Sequence, residues 1–183
     1  QGTQHVPTTG TIRNWYPNRA VHGQLTGQVE EMATEMPYFH WPLEFPEVFA
    51  AGGFDVVLGN PPWDRIKLQE KRFFAGRDEA IASAQNTAAR RRLIAQLPEA
   101  DPALHWDFEK AKRGTETTSK FVRQSDRFPL GARGDINLYV VFAELVKQLC
   151  GPRGRTGMVI PSGISTDDTT RYLFGDLVNS QRL

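Results

Sequence analysis

Four consecutive residues, Asn60-Pro61-Pro62-Trp63, offer the clearest chemistry in this sequence. They follow an apolar run, Phe54-Asp55-Val56-Val57-Leu58-Gly59. Each proline fixes its own φ and removes a backbone donor. Pro61 also pushes Asn60 out of the helical region. The result is a stiff, extended tetrapeptide that holds a carboxamide, backbone carbonyls and an aromatic face in fixed relation. Those groups suit a planar ring that carries an amine. The bland alternatives are a turn-forming Asn after a strand and a Trp in the core.

Positioning such a loop requires buried elements on either side. Phe54–Leu58 is short, apolar and partly β-branched, as expected of a strand covered on both faces. Downstream, Leu138, Val141, Phe142, Leu145, Val146 and Leu149 fall at offsets 0, 3, 4, 7, 8 and 11. That is one apolar stripe at helical spacing, and Asp135 stands where an N-cap belongs. Gly151, Pro152 and Gly154 end the helix, and Thr156–Ile160 follows as a second strand. Asp167 and Asp168 then cap a last helix, Thr169–Val178. Strand, helix, strand is a parallel crossover pattern, and ligands of such sheets sit beyond the carboxyl ends of the strands. Asn60–Trp63 and Pro161-Ser162-Gly163 occupy two such ends.

Asn-Pro-Pro-aromatic after an apolar strand resembles the catalytic motif of the S-adenosylmethionine-dependent amino-methyltransferases. The later Asp135-Ile136-Asn137-Leu138-Tyr139 helix and Gly157-Met158-Val159-Ile160-Pro161-Ser162 strand, in this order, resemble N6-adenine DNA methyltransferases. Phe39-His40-Trp41-Pro42-Leu43-Glu44-Phe45-Pro46-Glu47-Val48-Phe49 is similar to the large restriction–modification and phage-defence members. The resemblance runs from Phe39 to Leu183, with an unmatched insert. It implies an α/β, partial Rossmann-like methyltransferase fold with a mainly helical insert. It also implies methyl transfer from S-adenosyl-L-methionine to a flipped-out adenine.

Adenine N6 is a poor nucleophile because its lone pair is delocalised into the ring. Two acceptors aimed at the two N–H bonds localise that lone pair as the methyl group arrives. By resemblance these are the Asn60 side-chain oxygen and the Pro61 backbone carbonyl, and they matter more as positive charge builds on nitrogen. Trp63 supplies a stacking face for the extruded base. Asn60 and Pro62 also border the cofactor by resemblance. No Gly-x-Gly-like turn follows an apolar strand before Asn60, since Gly52-Gly53 precedes its strand. Most of the cofactor pocket is therefore expected upstream, and the chain is expected to be the catalytic half of a larger enzyme. The remaining partners are double-stranded DNA, the rest of the methyltransferase and a target-recognition domain. The same tetrapeptide can also serve a protein-glutamine or RNA amino-methyltransferase, or persist in a non-catalytic fragment.

Composition narrows the classes without choosing among them. The 183 residues are 39% hydrophobic and 23% charged, with net charge +1. No apolar stretch approaches the roughly 20 residues of a membrane span, no basic-then-apolar start suggests a secretory signal, and the cytoplasm is the expected location. His5, His22, His40 and His105 lack metal-ligand spacing, and no metal is expected. No Walker loop or GxSxG elbow appears. Cys150, the single cysteine, reads as a buried reduced thiol.

Charge is uneven along the chain. Arg65 to Arg133 holds 15 Lys/Arg and 9 Asp/Glu, an excess of 15 − 9 = +6. Such a stretch is either a solvated helical face or a phosphate-facing surface, with Arg90, Arg91 and Arg92 as DNA-binding candidates. The chain thus divides into an irregular N-terminal segment (1–38), a strand and catalytic loop (39–63), a helical basic insert (64–133) and a helix–strand–helix (134–183). Within these, a strand near Phe39 leads into a helical turn at Phe45–Ala50. A short helix is expected over Gln28–Met36. Lys67–Leu97 is expected to be helical with a break near Gly76 and a stop at Pro98, and Ala103–Arg113 a second helix ended by Gly114.

Overall fold

The computed structural model describes residues 39–181, together with Gly27, Glu30, Glu31, Ala33 and Thr34. Those five are helical, and the Thr34 hydroxyl donates to the Glu30 carbonyl at 2.8 Å, in keeping with the helix expected there. Other readings placed on 1–38 lie outside the described residues. The chain divides into two compact units, Gln1–Phe49 and Ala50–Leu183.

In the first unit the strand expected near Phe39 does not occur among the described residues. Trp41–Glu44 forms helix α1, and Pro46–Ala50 forms α2 as anticipated. Pro42 sits in the first turn of α1, where a missing N–H costs nothing. The Trp41 and Phe45 rings stack across the turn with centroids 5.9 Å apart.

In the second unit, strand β1 (Phe54–Gly59) pairs in parallel with β2 (Cys150–Met158), reached through helix α7 (Leu138–Leu149). This two-stranded parallel sheet with its connecting helix is the α/β arrangement the spacing predicted. The strand β2 begins earlier than expected, directly at the end of α7. Phe54 pairs with Cys150 but Val56 with Arg155, so Gly151–Gly154 bulges out of the ladder. Gly53 makes the joint possible. Its φ is +117°, and a Cβ there would lie 2.7 Å from both the Leu149 carbonyl oxygen and the Gly151 nitrogen. Cys150 is only half-buried, with its thiol 3.7 Å from the Arg155 carbonyl oxygen, because it begins the strand instead of ending the helix's apolar stripe.

The expected burial of β1 on both faces does not hold. Val56 is 58% and Leu58 77% exposed, because among the described residues only one neighbouring strand and one helix flank β1. Val159, just past β2, is 60% exposed.

The insert folds around a core of its own. Helices α3 (Glu70–Phe74), α4 (Glu79–Ala82) and α5 (Thr87–Ala100) bring Phe74, Ile81 and Leu97 against Phe108. Gly76 breaks the first from the second at φ +78°. The side chains of Asp78, Asn86 and Asp101 each accept a backbone N–H three residues on, which starts three successive helices. Pro98 does not stop α5, which runs to Ala100. It stands in the last turn, where few helical bonds remain to be lost.

Helix α6 runs unbroken from Pro102 to Gln124, 23 residues or about 34 Å. Gly114 was expected to end it. Thr115 and Thr118 instead return their hydroxyls to the carbonyls of Ala111 and Gly114, and the helix passes through. It buries Phe108 in the insert core and Val122 in a second core with Phe128, Ile136 and Val141. Helix α7 joins that core to a third, where Tyr139 and Val140 meet Leu173. The last helices, α8 (Gly163–Thr166) and α9 (Arg171–Asn179), close the described chain, with a 3-10 turn at Asp168–Thr170 in place of the first turn of the expected helix.

Candidate active site

The Asn60–Trp63 loop leaves the carboxyl end of β1, and the chain running from β2 into Pro161 passes beside it. Val159 donates its backbone N–H to the Gly59 carbonyl at 3.1 Å, continuing the ladder to the edge of the loop. The Trp63 indole nitrogen donates to the Val159 carbonyl at 3.3 Å. This side-chain contact links the loop to β2 across 96 positions of sequence.

The other side of the loop is tied to the start of α7. Leu138 donates to the Asp64 carbonyl at 2.9 Å, and Ile66 donates to the Ile136 carbonyl at 2.9 Å, so Arg65 and Asn137 face one another in an antiparallel bridge. Asp135 does not cap α7. Asn137 holds the N-cap position without a side-chain cap, and Asp135 pairs with Arg65 at 3.0 Å instead. Arg72 reaches Asp64 at 3.3 Å. Both ion pairs are largely exposed, so each adds only about 0–1 kcal/mol. The backbone bonds therefore do most of the bracing.

Within this frame Pro61 is buried, and Asn60, Pro62 and Trp63 are exposed. The Asn60 carboxamide makes no hydrogen bond among the described residues. Trp63 is 52% exposed, so it is not a core residue. It presents a ring face while its N–H is anchored. Arg90, Arg91 and Arg92 lie on α5 within the insert. Arg90 donates to the carbonyls of Ile81 and Ala84 at 3.1 and 3.4 Å, which fixes the α4–α5 turn, while Arg91 and Arg92 are exposed.

Tyr139 and Asp167 are further polar groups near this end of the sheet. A Cβ built at Gly163 would lie 2.7 Å from an Asp167 carboxylate oxygen and 3.2 Å from the Tyr139 hydroxyl. Burial, then the Asp167 charge, pushes the Tyr139 phenol above its ordinary value, with Arg65 opposing. Sequence reasoning missed Glu144, which is 2% exposed in the middle of α7. Its carboxylate accepts the backbone N–H groups of Leu130 and Gly131 at 3.1 and 2.7 Å and fastens the exit of the insert to α7. A lone Glu within an apolar stripe was the only available signal.

Asn60 and Pro62 are exposed at the carboxyl end of β1, whereas Gly53 packs tightly against the Leu149–Gly151 backbone and so forms part of the β1–β2 joint. No group of three or more His, Cys, Asp or Glu able to hold a metal occurs among the described residues. No helix among them is long and apolar enough to cross a membrane.

Residues 8–93, which include β1 and the Asn60–Trp63 loop, match the family described as Eco57I restriction-modification methylase. This supports a DNA methyltransferase segment of a restriction-modification system. No curated protein and no solved structure matches the chain.

Proposed function

We propose that this chain is the catalytic segment of a DNA adenine-N6 methyltransferase of the Asn-Pro-Pro-aromatic type, built on part of a Rossmann-like fold and serving restriction–modification or phage defence. The observation that carries the reading is the Asn60 carboxamide. It is exposed and without a hydrogen bond among the described residues, at the end of a parallel strand, on a loop braced from both sides, beside an anchored aromatic face. A carboxamide so placed is available to an incoming amine at no cost in broken internal bonds.

The extruded adenine stacks on Trp63. The Asn60 side-chain oxygen and the Pro61 carbonyl accept the two N6 protons and draw the nitrogen lone pair out of the ring. Because the loop is held before substrate arrives, these acceptors need no reorganisation as charge develops. Asn60 and Pro62 would border S-adenosylmethionine, which would supply a methyl group from its sulfonium and leave as the neutral thioether, so no covalent enzyme intermediate is required. The proton departs to solvent or a weak base after transfer. Arg91 and Arg92 are available for phosphate, and Arg90 positions the turn beneath them.

The test is methyl transfer by the natural full-length protein, offered plasmid DNA, release-factor-like protein and RNA side by side. N6-methyladenine in DNA is the expected product. Asn60→Ala is expected to lower single-turnover transfer by about 10²–10³-fold, the loss that follows removal of one preorganised partner, with cofactor binding retained. Methylation of protein or RNA in preference to DNA, or near-normal turnover by Asn60→Ala, overturns the reading.

A further inference from the structure

The segment after the catalytic loop and helix α6 enclose a groove of about 500 Å³. Its walls carry four cations, Lys67, Lys112, Lys120 and Arg123, against two carboxylates, Glu70 and Glu116. Two of the cations are already engaged. Lys112 lies 3.5 Å from Glu109, and Arg123 donates to the carbonyls of Ala132 and Gly134. Lys67 and Lys120 are exposed, and their ammonium groups make no hydrogen bond or ion pair among the described residues. They come from different elements, yet they line one groove, whose walls carry two more cations than carboxylates. Ser119 adds a hydroxyl to the same wall.

The groove's first wall follows the loop closely in sequence. Lys67 is four residues beyond Trp63, which limits the separation of their backbones to at most about 14 Å, or about four steps along one strand of a duplex at 3.4 Å each. The intervening Asp64–Ile66 is fastened to Ile136 and Leu138, so the position of the groove relative to Trp63 is set by the fold. The two carboxylates do not cancel the cations, and the hydroxyl and the spread of charge suit a ribbon of phosphates better than a single small anion.

We propose that this groove, between residues 66–70 and helix α6, holds the sugar–phosphate backbone of duplex DNA flanking the extruded base, with Lys67 and Lys120 as its phosphate contacts. The inference rests on the DNA methyltransferase reading and moves the principal backbone contact from the Arg90–Arg92 face to the groove.

The experiment measures duplex affinity of the full-length protein against salt concentration, for wild type, Lys67→Ala/Lys120→Ala and Lys67→Arg/Lys120→Arg. DNA methylation by the wild type and thermal melting of all three are followed in parallel. Each phosphate neutralised contributes about 0.9 to the slope of log K against log salt, so the double alanine variant is expected to be shallower by about 1.8. The arginine pair should restore the slope, since charge rather than shape is required. An unchanged slope in the alanine variant, while the wild type methylates DNA, overturns the groove and leaves the DNA reading standing. A wild type that neither binds nor methylates duplex DNA, but acts on RNA or protein, overturns both. Weaker binding with an unaltered slope, or with a lowered melting point, also counts against the groove, because it reports packing instead of phosphate.

Discussion

Replacing Trp63 separates the stacking role proposed for it from the hydrogen bond it makes. Its ring face is half exposed and available for stacking, and its N–H holds the Val159 carbonyl. Trp63→Phe keeps a face and deletes the hydrogen bond. That bond is 3.3 Å long and partly solvated, so its loss belongs at the low end of the usual about 0.5–1.5 kcal/mol. About 0.5 kcal/mol corresponds to roughly a twofold change, and even 1 kcal/mol to about fivefold. Trp63→Ala removes the face as well. Base–aromatic stacking is worth about 1–3 kcal/mol, so the combined loss of roughly 1.5–3.5 kcal/mol corresponds to about tenfold to several hundredfold.

The assay is methylation of an adenine-containing duplex by the full-length protein, run at saturating and limiting DNA. Trp63→Phe and Trp63→Tyr are expected to stay within about fivefold of wild type, by the hydrogen-bond magnitude above. Trp63→Ala should lose chiefly at limiting DNA, where capture of the base matters. If Trp63→Phe is as inactive as Trp63→Ala, the ring face is not what Trp63 provides, and the stacking argument fails.

Four further outcomes follow from particular contacts. Glu144→Ala strands two backbone N–H groups at about 1.5–3 kcal/mol for each charge-assisted bond lost, so denaturant unfolding should show a clear fall in stability; a surface-like loss below about 0.5 kcal/mol would refute the clamp. Gly53→Ala forces a side chain into a φ of +117° against two backbone atoms, costing about 1–3 kcal/mol from conformation alone, and melting of the purified variant should reveal it. In an alkaline absorbance titration Tyr172 should ionise before Tyr139. Hydrogen bonding and the charge of Arg171 hold the Tyr172 phenol below its ordinary value of 10.0, while burial and Asp167 hold Tyr139 above it. A raised folded pKa gives stability that is complete below the unfolded value and is lost as pH rises through the folded one, so Tyr139→Phe should melt less steeply with rising alkaline pH than wild type. The isolated 183-residue chain should show no turnover, because its glycine pair at 52–53 packs the β1–β2 joint and forms no cofactor turn; robust methylation by it would mean that the cofactor binds elsewhere on this chain.

Much of the sheet and the loop was legible in sequence because their signals are local. Phe54–Gly59 is an apolar run with a proline pair behind it, and the α7 stripe repeats at helical spacing, so pattern alone located both. What escaped depends on partners distant in sequence or on compensation within an element. Gly114 looked like a stop, but threonine hydroxyls beside it bond back into α6 and tertiary burial of Phe108 and Val122 holds both ends. Gly151–Gly154 looked like a loop, yet the chain enters the ladder at Cys150, bulges and re-enters at Arg155. Asp135 had the right type and place for a cap, and Arg65, 70 residues earlier, took it instead. Asp78, Asn86 and Asp101 are residue types that suit a helix start, but the near-continuous run of helix formers from Lys67 onward hides where one short helix ends and the next begins.

The bracing of the loop also determines how its variants are to be read. Asp64, Ile66 and Gly59 hold their neighbours through backbone atoms, which no side-chain substitution removes. The Asn60 side chain takes no part in that bracing, so Asn60→Ala subtracts an acceptor from the site and leaves the loop where it was. Trp63 differs, because its one anchoring bond comes from the same side chain that would receive the base. A change there alters position and affinity together. Only the comparison of Phe with Ala at that position distinguishes a displaced platform from a missing one, whereas at Asn60 a single variant already isolates the chemical step.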